Sequence, residues 1–324
     1  GNEDLRRMPT ATDVFAAATG SDWTNLDLFR QDMWSGGDMN DASLWEGNKI
    51  PGSQDDAFVR HEHTGTMTDD LHFQNITIAE GSWVKTSTHT LEIDNDTVLR
   101  QNSSETTQLF VDTGGTVVTE DLRLFGAELD MSGGTVLISD YFEIQPDDED
   151  TTSWHGLITG NGIIDVADQL ENDGIIRPDG GALTFRSVST DAWDLDGDGG
   201  TGELDASNGD VIFDSGGLRD EHDGQIIIGD GHFVRFDFDW ELGSGGDMHL
   251  NGTSLATAEL LGPGTATFSG DITATGQSSL DTDLVFHSTA DVSLTDADTE
   301  LKLGKQTTDL IIYNGGNFTG PGEL

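Results

Sequence analysis

The stretch His232–Leu242, HFVRFDFDWEL, alternates without a break. Val234, Phe236, Phe238 and Trp240 fall on one side, and Arg235, Asp237, Asp239 and Glu241 on the other. A period of two marks a strand with one dry face and one wet face. Similar short runs recur from about Thr64 onward, separated by Gly, Asn, Asp and Ser. No helical periodicity of useful length follows residue 40. That excludes α/β architectures and leaves a sandwich, a barrel, a propeller or a solenoid.

The spacing of the corners narrows the choice. FVDTGGTVVTEDL recurs as ELDMSGGTVLISDYF, with Gly114-Gly115 and Gly133-Gly134 nineteen residues apart. RPDGGALTF, ASNGDVIFD, GPGTATFSG and YNGGNFTG repeat the same form, a glycine-marked corner followed by apolar alternation. The intervals are irregular, about 19 to 30 residues, looser than a fixed-length repeat, and loops bulging from some turns account for the slack. The first forty residues differ. TATDVFAAATG offers Thr12 or Asp13 as an N-cap and Gly20 as a stop, which predicts a short helix, and NLDLFRQDMW reads as a second helical turn. Residues 1–40 therefore read as a partly helical arm or cap, and 41–324 as the main body.

Charge changes the picture most. The chain carries 61 acidic and 14 basic residues, a formal net charge of −47. Such a surface repels nucleic-acid phosphates and anionic membranes, so neither is an expected partner. It attracts cations, calcium above all, and at low salt its self-repulsion opposes compaction. Disorder is rejected because 34% of residues are hydrophobic and fall in strand-like runs, with 15 Phe and 7 Trp to bury. Cysteine is absent, which removes disulfides, thiolate metal sites and cysteine nucleophiles and leaves the compartment undecided. No apolar run reaches the ~18 residues of a membrane span. Gly1 is compatible with a mature terminus left by processing.

Two segments carry a resemblance. DASLWEGNKIPGSQDDAFVRHEHTGTMTDD, residues 41–70, resembles the entry motif of secreted bacterial β-solenoid surface proteins through Trp45, Pro51, Gly52, Asp55, Asp56 and Ala57. GLITGNGIIDVADQLENDGIIRPDGGALTF is similar to the repeat of autotransporter-associated and anchor-tagged extracellular proteins. It matches at Gly160, Gly162, Asn172, Gly174, Pro178, Gly181 and Leu183, with Asp179 where glycine is usual. The resemblance implies a right-handed parallel β-helix over residues 41–324 and a secreted, cell-surface location. An antiparallel β-sandwich is the alternative fold.

The sharpest candidate chemistry is DAWDLDGDGGTGELDASNG. Asp194, Asp196, Asp198, Gly199 and Asp205 fit positions 1, 3, 5, 6 and 12 of a calcium-loop template. A plain acidic turn between coils is the competing reading, which the resemblance favours. Asp147, Asp148, Glu149 and Asp150 form a solvated acidic loop. His61-Glu62-His63 places two imidazoles on one strand face, a transition-metal pattern or simply a polar outer face. Asn75, Asn95, Asn102, Asn251 and Asn317 head Asn-x-Ser/Thr sequons and are candidate glycosylation sites. No catalytic residue is assigned: four lysines suit a uronate lyase badly, and paired aspartates mean little in so acidic a chain.

The expected protein is a non-enzymatic, extracellular structural subunit. It is a β-helical rod that polymerises with copies of itself or packs on the cell envelope, with calcium bridging acidic flanks. The alternatives are an adhesin or carbohydrate-binding fibre module, recognisable by exposed aromatics on one outer face, and a polysaccharide-active enzyme. Removing residues 1–40 is expected to abolish assembly and spare β structure.

Overall fold

The computed structural model describes residues 30–33, 35–101, 105–146, 155–196, 202–295 and 298–304, and the backbone of 310–312 and 317–319. The expected N-terminal helix at Thr12–Gly20 lies outside the described residues.

The chain is all-β and winds into a parallel β-solenoid of about 12 turns. Three ladders run along it. The first face begins with Arg30–Asp32 and Asp56–Val59 and continues through Asn75–Ala79, Asp96–Arg100, Asp121–Phe125, Tyr141–Gln145 and Gln169–Asn172 to Trp193–Asp194. The second face runs unbroken from Gly37–Asp38 to Asn317–Thr319. The third starts at Leu71–Phe73 and passes through Thr90–Ile93 and Thr116–Thr119. Among the described residues every strand-to-strand ladder is parallel, so each coil rests on its sequence neighbours.

Coil length varies as the irregular corners require. On the second face Ile158 pairs with Ile176, 18 residues on, whereas Leu129 pairs with Ile158, 29 residues on. The register nevertheless holds, because a slip of one residue would turn a strand's apolar set outward. Leu71, Leu91, Val117, Val136, Ile164, Phe185, Phe213 and Phe236 form one inward column along the third face. All eight are buried.

Aromatic rings fill the C-terminal half of that core. Phe185 stacks on Phe213 at 5.0 Å, Phe213 on Phe236 at 5.1 Å, and Phe236 on Trp240 at 4.7 Å. Trp240 meets Phe268 edge-on at 5.5 Å, and Phe268 stacks on Phe286 at 5.1 Å. The alternation read in HFVRFDFDWEL is real at Val234, Phe236 and Trp240, all buried. However, the chain turns a corner inside it. Phe233–Phe236 belongs to the third face and Trp240–Leu242 to the first, so the rings meet across the core.

Three expectations change. The helical turn read over NLDLFRQDMW is a strand at Arg30–Asp32, in register with Asp56–Phe58, because pairing to the next coil overrides a weak local propensity. Among the described residues, stacked pairing is present from Arg30 onward, inside the segment read as an arm or cap. His61 and Glu62 stand at a corner with φ of 64° and 60°, not on a strand. Trp45 and Asp55 hold the segment between Gly37–Asp38 and Asp56–Val59. Trp45 is buried, donates its indole N–H to the Met39 carbonyl at 2.8 Å and meets Phe73 edge-on. Asp55 accepts from the Gly52 amide at 3.0 Å.

Candidate metal centre

The first face breaks after Trp193–Asp194. Beyond it, pairing falls to two isolated parallel bridges, Trp193 with Leu218 and His222 with Leu242. The ladder then resumes where Trp240–Leu242 meets Ala266–Phe268. The buried indole of Trp193 bonds the Ser215 carbonyl at 2.9 Å and closes the seam from within.

Acidic side chains arrive at this seam in a column. Arg123 pairs in register with Glu143, Glu143 with Glu171, and Glu171 with Asp194. Parallel stacking sets such neighbours about 4.8 Å apart, where like charges repel. Arg123 anchors the lower end, 2.7 Å from Asp121 and 3.6 Å from Glu143. Burial pushes the Glu143 carboxyl up; Arg123 opposes this, and Glu171, Asp173 and Asp121 add to it. The Tyr141 hydroxyl donates to Glu171, and burial together with that carboxylate holds the phenol above its ordinary range.

At the top of the column Asp194, Asp196 and Asp220 converge, one oxygen of each within 4.8 Å of the others. Asp194 and Asp196 are only 6% and 5% exposed, whereas Asp220 is open to solvent. Asp196 accepts the Asp223 amide N–H at 2.5 Å, and Arg219 stands 3.9 Å from Asp194. Burial raises the Asp196 carboxyl to about 6; the Asp223 amide offsets part of this, and the charges of Asp194, Asp220 and Asp223 reinforce it. His222 beside them is fully buried, with the Gln225 backbone next to its ring. Burial pulls its pKa down to about 4, opposed by a hydrogen bond to the Gln225 backbone and by the charge of Asp223.

This donor set is all oxygen and suits a hard cation. Asp194 and Asp196, the first two carboxylates of the calcium-loop template, come together in the structure. Asp198 and Gly199 lie outside the described residues. Asp205, expected at the twelfth position, instead accepts Arg177 Nε at 2.6 Å, because the coil below presents that guanidinium to it. Asp220 was missed: it joins from the next coil, and its offset depends on a coil length that local motifs do not encode.

The remaining candidates separate. His61 pairs with Glu80, its ring 6.2 Å from that of His63. His72, Glu92 and Asp94 gather on the outer third face, and Asp69, Asp70 and His89 at the corner before it. The 147–150 acidic loop and Asn102 lie outside the described residues, as does the side chain of Asn317. Asn75 is held on both sides, donating to Asp56 at 2.5 Å and accepting from the Asp96 amide at 3.1 Å. Asn95 is half-buried and Asn251 is exposed.

No known protein family, no curated protein and no solved structure matches the chain.

Proposed function

We propose that this chain is a structural rod of an extracellular surface, a β-solenoid subunit that assembles with copies of itself and holds calcium at Asp194, Asp196 and Asp220. The observation that carries the reading is the carboxylate column on the first face, ending in a buried cluster at a break in the ladder. Copies of a chain with net charge −47 repel one another unless a counterion neutralises the contact. Three carboxylates with one open flank make a weak site, of the kind filled only at the high free calcium found outside cells.

The disposition of the rings supports a rod over a glycan-binding array. Trp45, Trp193, Trp240 and seven phenylalanines are buried. The outward aromatics are half-buried and scattered, with Trp83 against Phe110 on the second face and Phe125 under Arg100 on the first. Negative-stain imaging and sedimentation of the purified chain, in calcium and in chelator, test the proposal. Filaments or layers in calcium are the expected result. A monomer under both conditions rejects assembly, and equal assembly in chelator rejects the role of calcium.

A further inference from the structure

The corners between the third and first faces are not equal. Two of them are two residues long, Ser139–Asp140 and Ala167–Asp168. The next spans Ser187–Ala192. The long corner is tied down: the Ser187 amide donates to Ser215 at 3.2 Å, the Ser189 amide donates to the Ser187 hydroxyl at 3.0 Å, and Trp193 anchors its end in the core. A groove of about 480 Å³ lies beside it, with Val118 and Leu137 on its floor and Val188, 91% exposed, at its rim. Asp165 and Arg186 are the charged residues of its lining, so the groove carries no net charge.

A second apolar residue stands equally far out: Leu255, 94% exposed. It lies on the corner between the second and third faces, where Asp247–Asn251 leads into the long strand Thr257–Phe268. This corner is also braced. The Thr253 amide donates to the Ala256 carbonyl at 3.1 Å, and the Thr253 carbonyl accepts from the Gln277 amide at 3.1 Å. The Thr253 hydroxyl accepts from the Leu255 amide at 3.1 Å and donates to Asp230 at 2.9 Å. Leu255 is thereby held at the tip of an uncharged loop. Single exposed apolar side chains are ordinary. Val188 and Leu255 are the large hydrophobic residues left exposed among the described residues, and each is fixed on a braced corner, so little freedom is lost when it is covered.

The charges beside the two are complementary. Arg186 bonds Asp214 through Nε at 3.1 Å and its side chain stays 45% exposed. Asp230, beside the Leu255 loop, is exposed. Copies of a chain with net charge −47 repel over most of their surface. A neutral groove edged by an arginine and an apolar tip edged by a carboxylate meet without that penalty.

We propose that a second copy of this chain covers the groove. Leu255 of one rod seats on Val118 and Leu137 of the next, against Val188, and Asp230 of the first faces Arg186 of the second. The inference rests on the assembly reading and names its contact. Tip and groove border the third face on opposite sides. The strand before Leu255 lies three ladder steps beyond Ile175–Arg186, about 14 Å along the axis. Such a contact is heterologous, so rods lie side by side with a constant stagger and the pairing repeats from rod to rod.

Leu255→Asp and Val188→Asp, both at open positions, are compared with the wild type by sedimentation and negative-stain imaging in calcium. Gln54→Asp, which adds the same charge at another exposed position, is the control. Far-ultraviolet circular dichroism checks that each variant keeps its β structure. Leu255→Asp and Val188→Asp should each raise the concentration needed for assembly at least tenfold, about the worth of one buried aliphatic side chain. Gln54→Asp should change it less than twofold. An equimolar mixture of the two assembly variants is the sharpest arm. One retains the groove and the other the tip, so together they should form a 1:1 dimer that grows no further. A mixture that does not pair, or that grows past the dimer, would overturn the inference. Assembly of both variants at the wild-type concentration would overturn it too, giving the groove another occupant and leaving the assembly reading intact. A wild type that stays monomeric would reject the assembly reading itself, and this contact with it.

Discussion

Replacing Asp196 by Asn tests the electrostatics of the seam directly. The asparagine oxygen can still accept the Asp223 amide, so the packing is kept and only the charge is lost. In the folded chain Asp196 titrates at about 6, above the ordinary carboxyl value of 3.8. Metal-free, its contribution to stability is complete below 3.8 and is lost as pH rises through about 6. The difference corresponds to ~3 kcal/mol between protonation states, and solvent screening at this partly open corner reduces it to ~2 kcal/mol. In chelator at pH 7.5 the variant should therefore be the more stable by ~2 kcal/mol, with no advantage at pH 4. His222 titrates in the opposite sense: its folded pKa near 4 lies below 6.5, so its contribution is lost as pH falls between those values. It is present in both proteins, and the difference between them cancels it. Because a solenoid unfolds in segments, hydrogen exchange of the Asp223 amide is the appropriate assay, alongside urea unfolding. Calcium should reverse the order at pH 7.5, protecting the wild type and not the variant. Identical pH profiles for the two proteins, or protection by calcium in both, would refute the reasoning.

Two further outcomes concern the scaffold. Gly160 has φ of 85°, and a Cβ there would lie 1.9 Å from the Met131 carbonyl oxygen, so Gly160→Ala should prevent soluble expression. Gly180 has φ of 71° and open space around it, so Gly180→Ala should cost only ~1 kcal/mol in urea unfolding. Phe213→Ala, which empties a ring site between Phe185 and Phe236, should cost ~3–5 kcal/mol by the same measurement.

The fold was legible where the signal is local. Alternation marked Val234, Phe236 and Trp240 as inward, and paired glycines marked corners whose positive φ the structure shows at Gly114 and Gly133. Trp45 and Asp55 each tie down local backbone, Trp45 at Met39 and Asp55 at Gly52. What escaped depends on register between coils. Asp205 lies beside Arg177 and Asp220 beside Asp196 only because successive coils have particular and unequal lengths, which composition does not encode. The strand at Arg30–Asp32 escaped for a related reason: three residues form a strand there only because Asp56–Phe58 wait alongside. Asp194 and Asp196 come together because they lie two residues apart on one short segment, where spacing alone decides proximity.

The unequal coils also govern how the molecule would respond to force. Hydrogen bonds between coils run along the long axis, so an axial pull loads them one rung at a time. Each rung that peels away frees between 18 and 29 residues, ~60–100 Å of extended chain. A tether built this way lengthens in discrete, uneven steps, and the order of those steps is written in the lengths of its turns.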